Sequence, residues 1–412
     1  MDIGSKLWGF QGVRSEYRAA GMFYFTAVMY AITFSMMTLL VPLYALHLGF
    51  DFKTMGAIVS AQAIFQLGLR LFGGVLSDRF GERPILWVSF LSPLVGAIVF
   101  AYSASIWTLV GAQVFIGISR AVYWNASQSY ASRMSEGNAG GILGRFLGYG
   151  SAGLIIGSLL AGAVAASVSF KAAFLVTGVL CAAGLLVSLA MPGLPRKGAL
   201  RTLKQIIEPL PGLLTSRMLL LGMLLAFMSS MSSALLGSTF PALLKEEFGY
   251  DETAIGIYRA LYSSALLIMG FAFAGMLKRY GQKAIFALCI FGMAAFTMLT
   301  PLSGSFVVPL GIVTFILGAA FGISRIFYPV IAAENSVPAQ RGMAMSVVGL
   351  GWALGMLVVP VVFGTIADLI GLSESTYVAG VVFLVVALGT PLFYRWVGGA
   401  RKAPEEVASG GD

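Results

Sequence analysis

Apolar residues in this chain run in unbroken stretches of about twenty, parted by short segments that carry Gly, Pro and charge. A bilayer core takes about 20 such residues per helix, so the stretches predict membrane-spanning helices. The first set falls at roughly 20–46, 54–77, 85–104, 107–130, 142–166 and 171–191, and a second at roughly 215–244, 253–277, 284–302, 308–332, 342–369 and 375–396. A membrane barrel would alternate at every second residue; runs such as Ile85–Tyr102 and Met218–Leu236 do not. Pro192–Gly212 is the longest polar stretch and marks the boundary between the sets. The expected fold is an all-α polytopic membrane protein of about 12 transmembrane helices in two pseudo-symmetric six-helix bundles. Its expected parts are an N-terminal segment (1–19), a first bundle (20–191), a linker (192–213), a second bundle (214–396) and a tail (397–412).

An internal repeat supports the division. Gly49-Phe50-Asp51 precedes the second span and Gly249-Tyr250-Asp251 the eighth. The loop Asp78-Arg79-Phe80-Gly81-Glu82-Arg83 matches Lys278-Arg279-Tyr280-Gly281-Gln282-Lys283 at the same offset of 200. Gly117-Ile118-Ser119-Arg120 with Tyr123 recurs as Gly322-Ile323-Ser324-Arg325 with Tyr328, an offset of 205. Duplicated halves are how many transporters build a midplane site at the repeat interface.

Composition agrees with a lipid-solvated chain: of 412 residues, 58% are hydrophobic and only 10% charged, against roughly 25% charged in soluble domains. The net charge of +9 raises nucleic acid as a partner, but the charges are placed as a membrane orients them. Nineteen of the 26 Lys and Arg lie in segments assigned to one side, and only Lys53, Lys171 and Lys245 to the other. That bias puts both termini in the cytoplasm and removes the case for nucleic acid. The basic stretch before the first span lacks a cleavage site, so that span is expected to stay as an anchor, in a bacterial inner (plasma) membrane. Cys181 and Cys289 sit singly in apolar spans and read as core residues, and no metal or cofactor is expected.

Gly74-Val75-Leu76-Ser77-Asp78-Arg79-Phe80-Gly81-Glu82-Arg83 resembles the loop signature of the major facilitator superfamily, G-x-L-a-D-x-x-G-R-[RK], with Glu82 departing where a basic residue is usual. The resemblance, carried also by the twelve spans and the weaker second-half copy, implies the fold of that superfamily and a conformational gate at Gly74, Asp78, Arg79, Gly81 and Arg83, against the helix beginning near Gly342. Physically, Gly74 permits close helix approach, and Asp78 suits a basic partner or a helix N-terminus; the alternative makes these mere loop charges. The exporter-type stretch G-x-x-x-G-P-x-x-G-G is degenerate here, with Ser158 for Pro and Ala161 for Gly between Gly153 and Gly162.

Ionisable residues at membrane depth are costly and usually functional. By these boundaries every Asp and Glu lies in a loop, a tail or a span end, whereas Arg70, Arg120, Arg259 and Arg325 lie deeper. An unpaired guanidinium there needs an anion, which a substrate can supply. Arg120 and Arg325 fall at matching repeat positions, each on a face with a small residue about one turn before it. Tyr123, Trp124 and Gln113 accompany the first and Tyr328 the second; Tyr30, Ser229 and Ser233 add hydroxyls from the first and seventh spans. Paired guanidiniums suit a carboxylate, phosphate or sulfonate. The bland alternative pairs them with carboxylates such as Glu136 or Glu334. Secondary candidates are Arg70, facing the pathway or Asp78's network; Arg259, expected to bridge to Glu247 or guide anions; and His47, a boundary residue or a proton-linked gate.

The expected function is a secondary transporter working by alternating access on a small anionic solute, in contact with the lipid bilayer, acting as a monomer, with protons an open coupling ion. The alternative is a proton-coupled multidrug or small-molecule exporter. A membrane enzyme or sensor is disfavoured, since HExxH, GxSxG and GxxxxGK[ST] are absent.

Overall fold

The computed structural model describes residues 3–70, 80–134, 139–193, 208, 210–337 and 341–398. All regular structure among them is helical. The first half supplies α1 (Ile3–His47), α2 (Phe52–Arg70), α3 (Glu82–Tyr102), α4 (Ile106–Met134), α5 (Ala139–Ser167) and α6 (Phe170–Ala190). After a short helical turn, Leu210–Thr215, the second half begins with α7 (Arg217–Leu236), which breaks at Gly237 and resumes as Thr239–Ala242 and a π-helical turn, Leu243–Glu247. Glu252–Ser303 is two helices, α8 (252–280) and α9 (282–303), because Gly281 has φ 75° and ψ 167°. The chain continues with α10 (Val307–Glu334), α11 (Arg341–Ile370) and α12 (Leu372–Gly398).

These bounds lie within a few residues of most of the predicted spans. Eleven helical stretches among the described residues are long and apolar enough to cross a membrane. The twelfth is α2, whose apolarity is interrupted by Lys53, Gln62, Gln66 and Arg70. Both glutamines are buried, so α2 turns its polarity inward rather than towards lipid.

The repeat is visible in the backbone. Gly49 and Gly249 both take positive φ (82° and 69°), and the next turn is capped alike: Asp51 Oδ1 accepts from the Thr54 N–H and Asp251 Oδ1 from the Ala254 N–H, each at 2.8 Å. Gly81 (φ 83°, ψ 160°) and Gly281 share a conformation essentially closed to side-chain-bearing residues.

The α4/α10 match corrects the sequence alignment. Gly117 lies against the Gln62 backbone on α2, where a Cβ would fall on the carbonyl oxygen; Gly318, not Gly322, makes the same contact with Tyr262 on α8. The two helices also begin 201 residues apart, at Ile106 and Val307. Arg325 therefore corresponds to Trp124, one turn beyond the counterpart of Arg120. Sliding a helix by four residues preserves its exposed face, so the face pattern read from sequence could not detect the shift.

The two halves meet along α2 with α11 and α5 with α8. At the far end, where Gly49 and Gly249 turn, they share one apolar core that joins Leu39, Leu40 and Met55 of the first half to Leu235, Phe240 and Phe363 of the second. Towards the basic end, where the chain starts and finishes, the first half keeps a separate cluster around Phe23, Phe90, Tyr123 and Phe146 that includes no second-half residue among those described. Asp368 of α11 tightens the far end by accepting from the N–H groups of Phe52 (2.9 Å) and Lys53 (2.8 Å) at the start of α2. The far end is closed.

Candidate functional site

Three arginines converge where the shared core gives out. Arg120 lies at the centre of α4, brought close to α2 by the glycine one turn earlier. Its Nη2 donates to the Thr38 hydroxyl on α1 (2.7 Å), its guanidinium stands 4.1 Å from the Phe34 ring centre, and its Nε is buried without a partner. Arg259 of α8 reaches the other side of the same residue: its Nη1 donates to the carbonyls of Leu236 (2.8 Å) and Thr38 (3.4 Å). The Leu236 carbonyl is free because α7 breaks there. Thr38 thus joins an arginine of each half, placing two like charges on one residue. Arg325 of α10 stands 5.5 Å from the ring centre of Trp124 on α4, across the interface, and makes no hydrogen bond among the described residues.

None of the three has a carboxylate partner among the described residues. The ion pairs there are Glu82–Arg133 (2.5 Å) and Lys245–Glu252 (2.7 Å). The expected Arg259–Glu247 bridge does not form, because Glu247 caps α12, accepting from the N–H groups of Leu372 and Ser373 (3.0 Å each) and from the Ser373 hydroxyl. A helix N-terminus offers unsatisfied donors that a carboxylate at the membrane border can reach without burying itself. Glu334 accepts from Gln282 (2.5 Å) rather than from Arg325, and Glu136 lies outside the described residues. A cationic centre in a low-dielectric interior is left with hydroxyls, carbonyls and ring faces as its neighbours.

Other expected residues gather around this centre. Tyr30 and Tyr123 stack at 3.3 Å between ring centres, and both hydroxyls are buried without a partner, as is Oε1 of Gln113. Ser229 accepts from Ser324 (3.0 Å), and Tyr328 stands 6.1 Å from Trp352. Ser233 is half-buried one turn before the α7 break. His47 is exposed at the far end, beside the rings of Phe170 (5.0 Å) and Tyr44 (6.4 Å).

The gate candidates divide. Gly74, Asp78 and Arg79 lie outside the described residues, as does the side chain of Arg70. Gly81 forms the turn into α3, and Arg83 donates to the Leu189 carbonyl and covers Trp87 (5.2 Å), tying α3 to α6 within one half. Glu82, the departure from the family pattern, is buried and accepts from Ser129 (2.7 Å) and Arg133 of α4. Sequence reasoning missed Asp368 as a link between halves and Thr38 as a shared node. The signal for the first was a carboxylate close to a helix end; Thr38 was one of several hydroxyls that made the first span a candidate cavity wall, and nothing in the sequence singled it out.

Known proteins resemble this chain in both sequence and fold. The family model described as Major Facilitator Superfamily matches residues 23–228 and again 222–411, once per half. The class C tetracycline resistance protein of Escherichia coli is 28% identical over 254 residues, 58% of this chain and 61% of that protein. The chain thus spans about three fifths of that relative's length. The class G tetracycline resistance protein of Vibrio anguillarum is 31% identical over 127 residues, covering 30% of this chain and 32% of the relative. Among solved structures, a mutant of the nucleoside transporter NupG superposes with TM-score 0.78 over 92% of this chain and 100% of its own, at 14% identity, a likeness of fold.

Proposed function

This chain belongs to the major facilitator superfamily and is a membrane transporter, not an enzyme; from that premise we propose that it carries small organic anions by alternating access. The observation that carries the reading is the meeting of Arg120, Arg259 and Arg325 between the halves, with no carboxylate beside them among the described residues. A guanidinium at that depth is stabilised by an anion, and a planar fork binds oxyanions through two donors at once. At the basic end the first-half core includes no second-half residue among those described, which suits an approach from that side. The excess of Lys and Arg there makes it the cytoplasmic face of a bacterial inner membrane. A proton relay at the arginine centre has no carrier among the described residues; exchange of anions, or a proton carried by the substrate, fits better.

A second reading has a specific observation behind it. Two relatives are named as tetracycline resistance proteins, which favours export of drug-like molecules. The two readings converge if the exported molecule bears an acidic group. The deciding experiment is uptake and efflux in proteoliposomes with anionic, neutral and cationic probes, for the parent and for Arg120→Gln and Arg325→Gln. Anion movement should fall at least about tenfold in both variants, the loss of a charge-assisted contact. Cation transport at parental rates in either variant, with no anion transport in the parent, rejects the anionic reading.

A further inference from the structure

We propose that the anion held at this centre carries a planar ring, so that the substrate class is an aromatic carboxylate rather than an inorganic oxyanion; this rests on the anionic reading above and refines it. Arg325 is the guanidinium with every donor to spare: it is half-buried and makes no hydrogen bond among the described residues, whereas Arg120 and Arg259 each keep a buried Nε without a partner but spend an Nη on Thr38 or a carbonyl. Its neighbour across the interface is the ring of Trp124. A guanidinium over a ring keeps its N–H edge available to a carboxylate while the ring supplies an apolar wall. Trp124 is itself one panel of that wall, standing edge-on to Tyr123 (5.8 Å, 76°) and Phe146 (5.9 Å, 84°). On the second-half side Tyr328 and Trp352 face one another at 6.1 Å, with Tyr328 one helical turn from Arg325. Rings from both halves therefore flank the guanidinium whose fork is open.

Several hydroxyls nearby are already bonded to one another or to main chain. Ser324 bonds the Phe321 carbonyl (2.8 Å) and Ser229 (3.0 Å), and Tyr262 pairs with Ser232 (3.3 Å). A tetrahedral oxyanion presents oxygens on all sides, and any lying over the ring faces of Trp124 and Tyr328, rather than at the indole N–H or phenol O–H, would stay unsatisfied at a cost. A carboxylate places both oxygens on one edge, satisfied by guanidinium, and its ring meets π-faces edge-on or offset, an arrangement favoured beyond area burial alone.

Purified protein would be titrated with radiolabelled benzoate, competed by cyclohexanecarboxylate, inorganic phosphate and benzyl alcohol. Benzoate should bind roughly fivefold more tightly than cyclohexanecarboxylate, the increment an aromatic contact supplies. Trp124→Leu should level that ratio, and Trp124→Phe, which keeps a ring, should retain most of it; monodisperse elution checks that both variants fold. Equal affinity for the ring and its saturated analogue, an unchanged ratio in Trp124→Leu, phosphate displacing benzoate at equal concentration, or no benzoate binding would each overturn the inference. Benzyl alcohol binding as well as benzoate would instead bring down the anionic reading itself, so the two failures are told apart.

Discussion

Replacing Asp368 by alanine should shift the protein towards a state open at the far end. The Asp368 carboxylate sits on α11 yet accepts two hydrogen bonds, 2.9 and 2.8 Å long, from backbone N–H groups that open α2 in the other half. Both lengths are near ideal, and α2 directs the positive end of its dipole at the carboxylate. Hydrogen bonds to a charged group contribute about 1.5–3 kcal/mol each when sheltered. Asp368 is exposed, so water and ions compete for it, and the pair is worth about 1 kcal/mol in total. That corresponds to about a fivefold change in the ratio of open to closed far ends. Asp368→Asn keeps one acceptor oxygen and should give roughly half the effect on the logarithmic scale, about twofold. The reporters are spin labels at Ser105→Cys and Ser305→Cys, exposed loop positions of opposite halves at the far end, with the buried free Cys181 and Cys289 replaced by serine. Pulsed dipolar spectroscopy should show the long-distance population growing in the order parent, Asn, Ala. An Ala distribution that coincides with the parent's would refute the idea that this carboxylate holds the halves together.

Gly117→Ala and Gly318→Ala place a Cβ against backbone of α2 and α8 and should each cost about 1–3 kcal/mol of stability; Gly68→Ala, with open space around it, should bring no such loss in the same thermal-unfolding assay. Asp51→Ala and Asp251→Ala remove matching caps and should each cost about 1 kcal/mol; a large difference between them would argue against equivalent turns. Hydrogen bonds from the Thr54 side chain and backbone hold the Asp51 carboxyl below its usual value. Its contribution is therefore present at neutral pH and should disappear as pH falls below the ordinary aspartate value of about 3.9, which thermal unfolding of the parent and Asp51→Asn across that range would read. Glu82→Ala should destabilise by about 2 kcal/mol, less than a fully buried pair, since Arg133 keeps 25% of its side chain exposed; the charge-swapped double variant Glu82→Arg with Arg133→Glu should recover part of the loss.

The helices were legible because a bilayer imposes one length and one composition on every span, and only α2, with inward-facing Gln62 and Gln66, fell short of the apolar rule. The repeat was legible where backbone geometry demands a residue type: a glycine at positive φ cannot drift, and so Gly49, Gly81, Gly249 and Gly281 mark true equivalences. It misled within α10, where nothing but the helical face was being matched and Gly322-Ile323-Ser324-Arg325 could slide by a turn. The buried arginines stood out as isolated charges in apolar runs. Their partners did not, because Arg259 bonds main-chain carbonyls of Thr38 and Leu236, and carbonyls carry no sequence signature. Glu247 was assigned to the wrong donor for the same reason: its true partners are the N–H groups at the start of α12, made available by helix geometry rather than by residue type.

On the anionic reading, the corrected register changes how the site would work. Two arginines at equal depth would clamp one ion symmetrically. Instead Arg325 lies nine residues from the basic end of α10, Arg120 fourteen from the basic end of α4, and Arg259 seven from the far end of α8. At 1.5 Å per residue this sets Arg325 about 14 Å and Arg120 about 21 Å from that end, with Arg259 beyond both. An anion arriving from the basic end meets the open fork of Arg325 first. It next reaches Arg120, whose hydrogen-bond partner among the described residues is the Thr38 hydroxyl. Arg259 is reached last; its Nη1 is committed to carbonyls of α1 and the broken α7, one in each half, while its Nε is buried without a partner. A negative charge beside Arg120 competes for Arg259 and draws it off those carbonyls, loosening the far end from within. Without that charge Arg259 keeps its bonds to both carbonyls, and with them a tie from α8 to α1 across the halves, so on this reading opening of the far end is coupled to occupancy by the order of the three charges along the path.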